Sequence, residues 1–368
     1  MKLSIVLFIW IGLLISSCKK SAADSDSSTN PAYDLVRGNF TDPPFDTSDI
    51  TALVPLGNLN PPAHTFPTDH MYFYCFTSKP SLEIKSPGNV RILRISRIHI
   101  NAGAFNDHYD YKIAFGSSNS YMYWDHVSSL SPRLLAAVNN FTGASCEPTY
   151  STGGSTYQGC YVEPAGLMTA TGEVLGTIKT SNGLTGMDLG VYVNKTAGNP
   201  LEFFDTKSRS MLEAKLGSFD GKTKRTAIPI SGEYNYDLPG TAMGNWIKQG
   251  FPRTPEDNNI ALVKDNVTPS IQVFSAGNTL PGLSPGTYYF KPQSSGFINR
   301  NFAEVTGDGN IYCYTLDLLG FINTGNSIPS TSIIIRLDGS TSLSAEKRNC
   351  DCSCLPYQFT SAKVLYTR

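Results

Sequence analysis

This 368-residue sequence is poor in charge and in histidine: only 16% of it is Asp, Glu, Lys or Arg, and it has five histidines. With a formal net charge of −1 and no block of like charge, it lacks the basic surface that nucleic acid selects, so no nucleic-acid partner is expected. Beyond the first residues there is no apolar run long enough to cross a bilayer. The sequence also has no phosphate-cradling Gly-rich loop and no His-Glu-x-x-His helix, which removes two common catalytic frames. The run Gly307-Asp308-Gly309-Asn310 lacks the successive oxygen ligands and terminal Glu of a calcium loop. Like Gly186 to Gly190, it reads as turn chemistry. Nothing repeats at a fixed period.

What is present begins with a leader. Met1-Lys2 precedes an apolar run from Leu3 to Ile15, then Ser16-Ser17-Cys18. A basic start, a short apolar core and small residues before the cut predict a secretory signal over residues 1–17. Cys18 resembles the acylated cysteine of a bacterial lipobox. Residues 18–40 include the polar run KKSAADSDSSTN, which cannot bury a core and is expected to act as a flexible tether. The leash resembles those of outer-membrane lipoproteins of Bacteroidetes-like bacteria. That resemblance implies a membrane partner through a lipid anchor at Cys18, on the periplasmic or the surface face.

Seven further cysteines would tend to pair in an oxidising compartment. Cys146 and Cys160 bracket a Gly/Ser/Thr loop and are the expected local disulfide. Cys350-Asp-Cys352-Ser-Cys354 would put three thiols on one face if it were a strand, but no second CxxC or nearby histidine completes a zinc set. Disulfides are expected there too, and the odd total leaves at least one thiol free or intermolecular.

Abundant Gly, Pro, Ser, Thr, Asn and Tyr predict a mainly β protein rich in turns. Residues 41–200 read as one β-domain. VRILRISRIHI (Val90 to Ile100) alternates as a half-buried strand does, and Tyr109 to Phe115, Ser120 to Trp124 and Met187 to Val193 follow the same rule. A short helix is expected over Pro132 to Val138, with Ser131 as N-cap. Residues 201–258 read as a linker with a helix over Lys207 to Phe219, stopped near Gly217. Residues 259–368 return to strands divided by turns, as in a small antiparallel barrel or sandwich.

Chemistry concentrates in PLGNLNPPAHTFPTDHMYFY, where His64 and His70 flank Asp69 behind Pro61-Pro62, and in YMYWDHVSSLS, which carries His126. His99 and His108 lie in strand and loop contexts that suggest no function. The order of four segments carries a resemblance: PPAHTFPTDHMYFY, the EIKSPGNVRIL hairpin, DYKIAF with YWDHVSSLS, and VEPAGLMTATGEVLGTI with MDLGVYV. Residues 41–200 thereby resemble a divergent branch of the lysostaphin/LytM-type zinc endopeptidases of peptidoglycan. The resemblance implies a barrel-sandwich-like β-sheet domain and a zinc held by a His-x-x-x-Asp pair and a His-x-His strand. His70 stands at the first ligand position, but Tyr74 replaces the Asp, and Met187-Asp188-Leu189 replaces the His-x-His strand. His126 matches the catalytic histidine of the Tyr-x-His segment.

Zinc catalysis needs three protein ligands and an open position, and a phenol, a thioether and an aliphatic chain do not replace a carboxylate and two imidazoles. The expectation is a catalytically degenerate envelope lipoprotein, with no cofactor, that binds or scaffolds at the cell wall or outer membrane. The candidate residues are His70 and His126 as remnants of catalysis, His70 as the lone metal ligand, and His64, Asp69 and Asp188 in binding. One alternative is an active peptidoglycan metallopeptidase in which His64, Asp69, His70, His126 and Asp188 form a rearranged zinc set. The other is a surface glycan-binding lipoprotein using the C-terminal domain, with aromatics such as Tyr121, Tyr123, Trp124, Trp246, Tyr288 and Tyr289 stacking on sugar rings.

Overall fold

The structure, a computed structural model, describes residues 33–101, 107–318 and 326–368. The leader, Cys18 and the tether up to residue 32 lie outside the described residues. Among those described, no helix is long and apolar enough to cross a membrane.

The protein is mainly β, and the strands of its sheets pair antiparallel throughout the described residues. The large sheet runs in the spatial order Ala52–Val54, Met71–Phe76, Leu184–Val193, Ser120–Val127, Asp107–Gly116, Val90–Asn101, Ser155–Val162, Ser145–Cys146. Side chains in a strand alternate between faces, so each of these sequences splits into two sets. One set, with Met71, Phe73, Cys75, Ile113, Phe115, Met122, Trp124, Met187, Leu189 and Val191, is wholly buried. At roughly 1.5–3 kcal/mol for each large apolar side chain buried, this face supplies most of the local stability. A three-stranded sheet (Ser81–Lys85, Val174–Lys179, Ser129–Leu130) adds Leu82, Ile84, Leu175 and Ile178 to the same core. The other set includes Tyr72, Lys112, Tyr121, Tyr123, Asp188 and Tyr192, and forms a polar, Tyr-rich face.

The C-terminal part is a closed eight-stranded barrel, from Gly244–Lys248 to Val364–Thr367, which pair with each other to complete the ring. Its own core contains Trp246, Leu262, Phe274, Tyr314 and Ile335, and the indole N–H of Trp246 donates to the Ala242 carbonyl at 2.8 Å. Leu59 and Phe66, from the Pro-rich loop of the first region, pack into this barrel core. Two neighbouring acids strengthen the junction. Glu256 accepts from the Phe66 backbone N–H (2.7 Å), while Asp257 accepts from the Thr152 hydroxyl (2.6 Å) and the Gly153 N–H (2.8 Å).

Several expectations are altered by tertiary contacts. The helix over Pro132–Ala137 forms with Ser131 as its cap, but the second helix is only Thr206–Glu213, capped by Asp205. Lys215 to Gly217 leave it because Leu53 N–H donates to the Lys215 carbonyl and Gly217 N–H to the Leu53 carbonyl, which pairs the chain with the first strand. Gly244–Lys248, inside the stretch read as linker, is a barrel strand, and Ser342–Arg348, not read as a strand, is another. Gly186 and Gly190 lie inside Leu184–Val193 rather than in a turn. A Cβ at Gly190 would come within 2.3–2.4 Å of the Tyr123 ring, so the glycine makes room for that aromatic. Val90–Asn101 is not simply half-buried, because Arg91 is buried with its guanidinium 4.9 Å from the Tyr33 ring.

The expected Cys146–Cys160 disulfide is present and staples two paired strands. A second joins Cys313 to Cys352. Residues 350–354 form a turn and no strand, so the three thiols do not share a face. Cys75 is free and buried on the apolar face.

Candidate functional site

The polar face of the large sheet gathers the residues singled out in the sequence. His70 lies immediately before Met71–Phe76, where the Thr68 hydroxyl bonds its carbonyl at 3.2 Å. The preceding loop is closed by a reciprocal backbone pair between Asn60 and His64 (2.9 and 3.0 Å). Asp188 sits in mid-strand, opposite Tyr72 on one neighbour and Asp125 on the other. His126 is re-aimed by an irregularity in pairing. The register shifts between the pairs Tyr111–Val127 and Ile113–Trp124, and His126 takes a left-handed φ of 67°. Its N–H is held by the Asp125 carboxylate at 2.9 Å.

These placements build a chain in which acids and imidazoles alternate. His70 Nδ1 lies 3.2 Å from Asp69 Oδ1, and His70 Nε2 lies 3.3 Å from Asp188 Oδ2 and 2.9 Å from the Tyr72 hydroxyl. His126 Nε2 reaches the same Asp188 oxygen at 3.5 Å, and its Nδ1 lies 2.8 Å from Asp110 Oδ2. The Tyr192 hydroxyl donates to Asp69 at the far end. His64 stands edge-on to His70, ring centroids 5.6 Å apart. Lys112 offsets the acid opposite Asp188, its Nζ 2.8 Å from Asp125 Oδ2.

The electrostatics follow from burial opposed by these pairs. Burial alone would discharge His70, but hydrogen bonds to Asp188 and Asp69 outweigh it and push the imidazole up to about 9. His126 is half exposed; the burial that opposes its charge is outweighed by Asp188 and Asp110, which hold it above its ordinary value. Burial would raise Asp188, but His126 and His70 hold it far below the usual carboxylate range. His64, with burial and the His70 charge against it, is lowered. At neutral pH the centre is therefore a carboxylate between two imidazolium rings, with a neutral imidazole alongside.

As it stands, that arrangement holds protons where zinc would need lone pairs. Metal ligation needs neutral imidazole lone pairs, whereas every ring nitrogen of His70 and His126 faces an acid or a phenol. Among the described residues no group of three His, Cys, Asp or Glu side chains is disposed to hold a metal ion. Tyr74, at the position where the resemblance expects an Asp, packs on Tyr72 and Phe219 instead.

A cavity of about 420 Å³ opens beside the chain of acids and imidazoles. His64, Asp69 and His70 form one wall, the connector supplies Tyr234 and Asp237, and the barrel side supplies Asn245, Arg253 and Glu256; Asp188 and His126 are not in its lining. A second cavity of about 610 Å³ shares Tyr234 and Asn235 with the first, so the two adjoin. It carries no histidine. Of the aromatics weighed for sugar stacking, Trp124, Trp246, Tyr288 and Tyr123 are buried. His99 is paired with Asp107 (2.5 Å) and His108 lies 3.8 Å from Asp110, both away from the cavity lining.

Comparison with family models, curated proteins and solved structures yields no match.

Tyr72, Asp110, Lys112, Tyr192 and Glu256 join the network or its border without having stood out in the sequence. The first four carried a usable signal: polar and Tyr residues at every second position of strands whose other positions are largely apolar. Glu256 carried none, because its role depends on contact with a loop 190 residues away.

Proposed function

We propose that this protein is an envelope lipoprotein, anchored through Cys18, whose LytM-like domain no longer performs zinc catalysis and instead holds a peptide or glycan strand of the cell wall. The supporting observation is the Asp69–His70–Asp188–His126–Asp110 chain, in which acids and a phenol take the ring nitrogens that a metal would need. Two cavities that share Tyr234 and Asn235 in their walls, with carboxylates and the Arg253 cation among the lining residues, suit an extended polar ligand. Purified protein should carry less than stoichiometric zinc, cleave neither peptidoglycan nor glycyl peptides, and co-sediment with peptidoglycan sacculi. Tyr234→Ala should weaken that sedimentation severalfold. Failure of the wild type to sediment would remove the cell-wall reading.

One observation favours a second reading, a metallopeptidase with a rearranged ligand set. Both Nε2 atoms approach the same oxygen of Asp188. An ion there would have to displace both imidazolium protons, so its affinity would climb steeply with pH. Stoichiometric zinc lost in His70→Ala and His126→Ala, together with chelator-sensitive hydrolysis, would establish this reading in place of the first.

A further inference from the structure

Four of the eight cysteines meet at one edge of the barrel. Cys313 and Cys352 form a buried disulfide that packs with Ile334, while Cys350 and Cys354, on either side of Cys352, are free and only partly buried. The turn holding them is tightly specified. Cys354 N–H donates to the Asp351 carbonyl (3.3 Å), and the Asp351 carboxylate accepts from Ser353 N–H (2.8 Å) and its hydroxyl (2.5 Å). The Ser332 hydroxyl fixes the Cys350 carbonyl at 2.7 Å, and the Tyr357 hydroxyl fixes that of Cys352 at 2.6 Å. Cys352 is thereby turned inward, and Cys350 and Cys354, at the two ends of the same short turn, are left partly exposed as free thiols.

We propose that Cys350 and Cys354 are a redox-active dithiol that closes into a third disulfide when it meets an external disulfide. The thiolate of one cysteine attacks a sulfur of the oxidant R–S–S–R, forming a mixed disulfide and releasing one RS⁻. The second thiolate then attacks the cysteine sulfur of that mixed disulfide, forming Cys350–Cys354 and releasing the other RS⁻. Two protons leave the protein, and two electrons pass to the oxidant. The remaining cysteines of the described chain are unsuited: Cys75 is buried in the core, and Cys146, Cys160, Cys313 and Cys352 are already bonded.

The new bond would be more labile than its neighbours. Disulfide stabilisation rises with the logarithm of the loop closed, and Cys350 and Cys354 flank a single short turn, against separations of 14 and 39 for the other two pairs. Exposed bonds of this kind sit at the oxidising, easily reduced end of the scale. The Cys350–Cys354 pair is therefore set to open and close while the barrel stays stapled by Cys313–Cys352.

The test incubates the full chain in glutathione buffers of graded poise, traps thiols with maleimide under denaturing conditions and maps bridges by mass spectrometry. A Cys350–Cys354 link should appear in oxidising buffers, with Cys75 still a thiol, and should reopen at a poise where the other two bridges persist. In Cys350→Ser and Cys354→Ser the remaining cysteine has no resolving partner and should accumulate as a glutathione adduct, with both native bridges intact. Labelling of both thiols at every poise would overturn the proposal. So would a new bridge to Cys313 or Cys352 in the wild type, or an absence of adduct in both variants.

Discussion

The two faces of the large sheet are built from the same strands and do opposite things. Residues 71, 73, 187, 189 and 191 point into a dry core, while 72, 188 and 192, one step along the chain, carry a phenol, an acid and a second phenol into a charged network. A sheet with two such different faces has its register fixed from both sides, because a slip of one residue would bury Asp188 among aromatics and expose Met187. One face carries the apolar core; the other gathers the acids, imidazoles and phenols of the charged network.

Damage to one face should leave the signature of the other intact. Trp124→Ala should cost about 4 kcal/mol in denaturant unfolding, as truncation of a fully buried indole does, while the His70 titration followed by NMR stays near its wild-type midpoint. Asp188→Asn should cost about 3 kcal/mol by leaving two imidazolium groups without their shared counterion, and here both imidazole midpoints should fall sharply. Equal movement of the His70 midpoint in both variants would mean that the faces are not separable.

Titration separates the faces as well, since only the polar one holds the histidines. His70 has a folded value above its unfolded one, so its stabilising pair is complete below about 6.5 and is lost as pH rises through about 9. Unfolding free energy should therefore fall by on the order of 2–3 kcal/mol over that window, and Asp188→Asn should flatten the slope. Asp188 is shifted down, so its contribution is present above the ordinary carboxylate range and fails as pH drops below it. Tyr192→Phe should cost about 1 kcal/mol and let the Asp69 midpoint rise, which NMR of the carboxylate would follow. At the small end, Glu256 is raised from 4.5 to about 7 by burial, which favours the fold below pH 4.5 and weakens it as pH passes 7. Glu256→Gln keeps an acceptor for Phe66 N–H, so denaturant unfolding should show a gain of roughly 0.5 kcal/mol in alkaline buffer and none in acid.

Much of this was legible in the residues. Alternation located the strands around Val90, Tyr109, Ser120 and Met187, and the Ser131-Pro132 pair marked a helix start. The histidine pair beside Asp69 pointed to the loop that borders the cavity. What stayed hidden was non-local. Trp246 looked like part of a connector because nothing in GNWIK announces its partner, Val364–Thr367, at the far end of the chain. His126 was visible as a residue, but its direction depends on the irregular pairing opposite Lys112. Cys313 and Cys352 meet because Cys313 lies opposite Ile334 where Tyr312–Leu318 pairs with Asn326–Gly339, and the 350–354 turn folds back over that pair. No spacing in the sequence carries that encounter.

Glu256 and Asp257 are adjacent on one short turn, yet they grip two separate loops of the first region, at Phe66 and at Thr152 with Gly153. Phe66 and Glu256 both line the smaller cavity, and the Asp257 contacts hold the same turn from outside that lining. Drawing the Phe66 loop away from that wall means breaking its hydrogen bond to Glu256 on a turn that Asp257 anchors a second time, so the wall resists displacement.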